Sequence, residues 1–136
     1  MTKPWPLIVS RYRDYKGEEL SILAMLTLSE YIENSNLANS LFAWTSMFDL
    51  CITQTEVTHP YHGPYLLISP VGYGLDTPRS LAENGKIEFR YIDTYVTEKQ
   101  WHRIVSPDDV VLQLLKFLKQ LHWISAPVFQ KRSLTK

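Results

Sequence analysis

Two histidines three positions apart, His59 and His62, are the sharpest local chemical feature of the chain. Imidazoles at this spacing can share a metal ion when the backbone between them is helical or tightly turned. A zinc ion would then need a third ligand, for which Asp76, Asp93 and His102 are the available side chains. The same stretch reads His59-Pro-Tyr-His-Gly-Pro-Tyr65, and its Pro60, Gly63 and Pro64 account for it as a turn with no ion. No second paired-ligand motif accompanies it. The expectation is no metal and no cofactor.

A second constellation joins two segments, Arg90-Tyr-Ile-Asp93 and Gln100-Trp-His-Arg103. On a hairpin these lie side by side. One face then shows Glu88, Arg90 and either His102 or Trp101, depending on register, with Asp49, Thr53 and Tyr65 as further members. A carboxylate beside His102 makes a general acid–base pair. The plain alternative is a solvated face with cross-strand charge pairs, worth little to stability. Trp, Tyr and Arg are also the residues enriched where proteins bind one another. Tyrosines fall in loops at Tyr61, Tyr73 and Tyr95, where they serve as lids over a core or as binding anchors. The candidate binding surface is Tyr61, His62, Tyr73, Glu88, Arg90, Asp93, Trp101 and His102.

Other chemistries find less support. Cys51 lies in an alternating strand pattern and reads as a small buried residue, not a nucleophile. Gly72-Tyr-Gly74 lacks the Gly-Lys-Ser/Thr ending of a phosphate loop, and neither Gly-x-Ser-x-Gly nor His-Glu-x-x-His occurs. Arg11-Tyr-Arg13 with Lys16 is a short basic and aromatic run of the kind that touches nucleic acid. Against it, the chain carries 14 basic and 14 acidic residues, so no long-range field favours a polyanion. Nucleic acid is not expected as a partner.

Positioning such residues requires a scaffold, and periodicity supplies one. The segment Pro4 to Gly17, with two prolines and Ile8-Val9, reads as a short edge strand. Leu20, Leu23, Leu28, Tyr31 and Ile32 predict a helix over 18–33, after Glu18 and Glu19 at its positive end. Leu37 to Trp44 reads as a second short helix. Phe48, Leu50 and Ile52 alternate with polar neighbours as a strand does, Tyr65 to Ser69 is a second strand, and 72–85 is a loop ending in Asn84-Gly85. Lys86 to Ile92 is the clearest strand, with Ile87, Phe89 and Tyr91 on its core side. Gln100 to Val105 is its hairpin partner. Ser106 caps a last helix, Pro107 fits its first position, and Val111, Leu114, Leu115, Leu118 and Leu121 form its apolar stripe. The tail after about 127 is expected to be mobile.

At 136 residues, 45% apolar and 21% charged, the chain is sized and composed like one globular domain. The fold expected is α+β: an antiparallel sheet of three to five strands with an N-terminal and a C-terminal helix on one face. The apolar run Leu7 to Val9 is too short for a signal peptide. No stretch reaches the roughly 20 apolar residues of a membrane span, and a lone cysteine suits a reducing compartment. A cytoplasmic protein without membrane partners follows. The function expected is non-enzymatic binding of a protein partner, as in adaptors or immunity proteins, and a homodimer is compatible with it. The competing expectation is a small ligand-binding or hydrolytic domain using His59, His62, Asp93 and His102.

Overall fold

Trp5, Ile8, Val9 and Tyr12 recur with the spacing of one helix face, and in the computed structural model they are the buried side of helix α1, Trp5–Arg13. The structure describes residues 1–15, 17, 19–58, 61, 63–71 and 85–124. The edge strand expected at Pro4–Gly17 is thus replaced by a helix. Its prolines are the reason: Pro4 occupies the cap and Pro6 the first turn, where no amide hydrogen is needed. Helix α2, Leu20–Glu33, falls where the spacing predicted one. Its inner face differs, however. Ile22, Met25, Leu28 and Ile32 are buried, while Leu20 and Leu23 of the expected stripe are exposed.

The short helix expected at Leu37–Trp44 is also corrected. A single 3₁₀ turn, Asn36–Asn39, is capped by the Ser35 hydroxyl, which accepts from the Leu37 amide at 3.2 Å. The chain then extends into strand β1, Phe42–Ser46. Four more strands follow among the described residues: β2 Asp49–Thr53, β3 Tyr65–Pro70, β4 Ile87–Ile92 and β5 Trp101–Val105. They pair antiparallel in chain order, a five-stranded meander. Register fixes the faces. Ala43, Ile52, Leu66, Tyr91 and Trp101 lie in one row, and Leu50, Ile68 and Phe89 in the next. This side meets all three helices, since Ile8, Met25, Leu28, Leu114 and Leu118 join the same buried cluster. Each large side chain buried there contributes about 1.5–3 kcal/mol over leaving it exposed.

The turn between β1 and β2 is two residues long, and Met47 takes a positive φ of 58° in it. Glycine or asparagine would be usual there. Helix α1 holds the turn instead: the Arg11 guanidinium donates to the Met47 carbonyl at 2.8 and 3.2 Å, and the Tyr12 hydroxyl donates to that of Phe48 at 2.9 Å. Arg13 pairs with Glu30 at 2.7 Å. The basic and aromatic run at 11–13 is therefore engaged within the fold.

Ser106 accepts from the Asp108 amide at 3.3 Å and starts a 3₁₀ turn, Pro107–Asp109, that leads into helix α3, Val110–Gln120. Leu114 and Leu118 are buried as expected; Val110 and Phe117 share that face, while Val111, Leu115 and Leu121 flank it half-buried. No helix among the described residues is long and apolar enough to cross a membrane. Residues 72–84 of the loop expected at 72–85, the tail after 127, Lys16 and Glu18 lie outside the described residues. Gly85, which ends that loop, has the positive φ of 88° expected of a turn glycine.

Candidate functional site

The sheet face turned away from the helices carries the candidate site. Successive residues of a strand point to opposite faces, so the register that buries Phe89 sends Glu88 and Arg90 outward. His102 lies directly opposite Arg90, and Trp44, Cys51, Leu67, Arg90 and His102 form one row across all five strands. Of the two registers open to the sequence, the one placing His102 on this face is adopted. Trp101 points the other way, between Tyr91 at 6.1 Å and Phe117 at 4.9 Å, so it belongs to the packing beneath α3.

Glu88 is the centre of a charge cluster. Its side chain is 3% exposed, with Arg90 Nη2 at 3.2 Å from one oxygen and His102 Nδ1 at 3.4 Å from the other. A buried carboxylate is costly unless compensated, and these contacts offset that cost. Exposure rises outward, to 29% for Arg90 and 67% for His102. The three residues border a hollow of about 390 Å³, lined also by Tyr91, Ile92, Gln100 and Trp101, so Trp101 reaches this hollow as well as the packing beneath α3. At 3.4 Å the histidine contact is an ion-pair distance and long for a hydrogen bond. Among the described residues, no serine, threonine or cysteine lines the hollow.

The opposite end of the face is aromatic. Trp44 packs against Tyr65 at 5.6 Å and edge-on to Tyr61 at 6.2 Å, and the Tyr61 hydroxyl donates to the Pro64 carbonyl at 3.2 Å. Trp44 on β1 and His102 on β5 are four strand spacings apart, about 19 Å. Between them Cys51, Asp49, Thr53 and Ser69 are buried, so the face is not a uniformly solvated surface. Burial first, then the neighbouring Asp49, push the Cys51 thiol up to about 12. It is neutral at physiological pH and is no nucleophile. Burial also raises the Tyr65 hydroxyl above its ordinary range.

The sequence-derived candidates therefore divide. Glu88, Arg90 and His102 come together, while Tyr61 sits at the aromatic end. Asp93 serves its own loop: its carboxylate accepts from the Tyr95 and Val96 amides at 3.0 Å, and its amide donates to the Gln100 side chain at 2.9 Å. His59, His62 and Tyr73 lie outside the described residues. Among the described residues no three His, Cys, Asp or Glu side chains are grouped to hold a metal ion. Trp44 and Leu67 were missed as members of the face. For Trp44 the signal was the alternation Phe42-Ala-Trp-Thr, masked by the helix-like residues before it. No protein-family model matches the chain, and neither does any curated protein or solved structure.

Proposed function

We propose that this chain is a non-enzymatic protein-binding module that engages its partner through the sheet face opposite the helices. The observation that carries the reading is the pairing on one face of a compensated charge cluster, Glu88–Arg90–His102, with an aromatic group, Trp44–Tyr61–Tyr65. Arginine and aromatic side chains are the usual anchors of protein interfaces, and a carboxylate that fixes an arginine lowers the entropy cost of using it. The partner is a protein whose surface offers acidic or carbonyl groups to Arg90 and His102 and an apolar contact to Trp44. The reading includes a cytoplasmic setting, where one unpaired cysteine is ordinary.

A second reading is favoured by one contact. His102, 67% exposed, holds Nδ1 at 3.4 Å from the Glu88 carboxylate, the kind of neighbour a general-base histidine has. Against it, Arg90 shares the same carboxylate. Affinity capture from the native host separates the two. The wild type is compared with Arg90→Glu and Trp44→Ala, and the captured partner is then remade with purified components. At least tenfold weaker binding by both variants supports the module. Undiminished binding, together with a hydrolytic activity lost on His102→Ala, would replace it with the enzyme.

A further inference from the structure

The two edges of the sheet are treated differently. At β1 the chain closes its own edge, because the Lys3 amide donates to the Ala43 carbonyl at 2.8 Å in an antiparallel bridge. At β5 no strand among the described residues pairs on the outer side. The Arg103 guanidinium bends back to donate to the His102 carbonyl at 2.7 Å, while resting over the Trp101 ring at 5.7 Å. A carbonyl met in this way points away from β4. His102 and Ile104 therefore present their amides and carbonyls outward, whereas Trp101, Arg103 and Val105 turn theirs to β4.

An exposed edge of this kind is a template for another strand unless charge or covering blocks it. We propose that β5 pairs antiparallel with β5 of a second copy of this chain, about a two-fold axis at His102. Three centres are available to such an axis. Centring on Arg103 sets two guanidinium groups directly opposite one another, which is unfavourable. Centring on Ile104 sets Arg103 opposite Val105, which gives its guanidinium no aromatic ring to rest on. Centring on His102 sets Arg103 opposite Trp101 of the second copy, on both sides of the axis, and the pairing ends before Gln100, whose amide already donates to the Thr97 carbonyl at 3.1 Å. Along the paired stretch 101–103 the two His102 rings meet at the axis, and no two guanidinium groups face each other. Arg103 exchanges its own Trp101 for that of the second copy, so the cation–π contact is kept while its hydrogen bond is given up to a strand amide. The edge is complementary to itself, as a two-fold interface must be.

The pairing would join the two outer sheet faces, so that each copy contributes a Glu88–Arg90–His102 cluster to one continuous surface across the axis. The inference does not rest on the protein-binding reading, and either can fail alone. It is tested by the mass of the wild-type chain across a dilution series in sedimentation, together with single-cysteine crosslinking. In the His102-centred pairing the two 102 positions are about 5.5 Å apart, within disulfide range, whereas two 103 positions are about 8 Å apart, outside it. His102→Cys, Arg103→Cys and Ile104→Cys are oxidised side by side, with buried Cys51 left in place and folding checked by circular dichroism. The expected result is a chain of doubled mass that dissociates on dilution, with covalent dimer formed chiefly by His102→Cys. A chain that stays at single mass throughout, or a dimer that crosslinks no better at 102 than at 103 or 104, overturns the proposal.

Discussion

Replacing each member of the Glu88 cluster in turn should produce a ranked set of stability losses that follows burial. Removing one partner of a fully buried ion pair costs about 3–5 kcal/mol, because the other charge is stranded. Arg90→Met takes from a carboxylate that is 3% exposed its guanidinium partner at 3.2 Å, so the cost should approach that range, at about 3 kcal/mol. Glu88→Gln keeps the shape and one acceptor. Arg90 and His102, 29% and 67% exposed, reach water, so the substitution should cost about 1–2 kcal/mol. His102→Ala removes a contact at 3.4 Å from an exposed ring and should cost under about 1 kcal/mol. Urea titration followed by tryptophan fluorescence reads all three. If His102→Ala costs more than Arg90→Met, the carboxylate draws its compensation from the histidine and the account of the cluster is wrong.

Phe89 is fully buried and lies 5.0 Å from the Phe117 ring. Phe89→Ala should lose about 3–5 kcal/mol and Leu118→Ala about 2–5 kcal/mol, against nearly nothing for exposed Lys116→Ala; denaturant titration that reverses this order would put the sheet face the wrong way round. Ser106→Ala removes the acceptor for the Asp108 amide and should cost about 1 kcal/mol, visible as a small fall in melting temperature. The thiol of Cys51 ionises near 9.0 when unfolded and near about 12 when folded. The stability gained by keeping it neutral is complete below pH 9 and is lost as the pH rises toward 12, at up to about 1.4 kcal/mol per pH unit. Native protein at pH 8 should accordingly resist a thiol reagent that reacts at once in urea.

The parts of this fold that were legible in the sequence are those where one periodicity acts alone. Ile87, Phe89 and Tyr91 alternate without interruption, and β4 buries all three. The β4–β5 hairpin and the Ser106–Pro107 start of the last helix were equally plain. Helix α1 was hidden by its prolines, which suggest an extended segment until Trp5, Ile8, Val9 and Tyr12 are counted on a helical wheel. Strand β1 was hidden by its turn. Met47 carries the positive φ that glycine or asparagine normally announces, and it is held there by Arg11 and Tyr12, 36 residues away in sequence. In α2 the apolar residues are spread so widely that spacing did not tell the buried Met25 from the exposed Leu20. The Glu88–Arg90 half of the site followed from alternation. His102 was legible only as one of two choices, because a one-residue change of register exchanges it with Trp101.

The most direct test of the binding face is amide chemical-shift mapping of the labelled chain against the purified partner obtained by capture. Perturbations should concentrate on Trp44, Cys51, Leu67, Arg90 and His102, the row that crosses all five strands, and on Tyr61 and Tyr65 beside it. Helix residues on the far side of the sheet, such as Leu112 and Lys119, should stay in place. Shifts confined to α2 and α3, with the outer sheet face silent, would contradict the account.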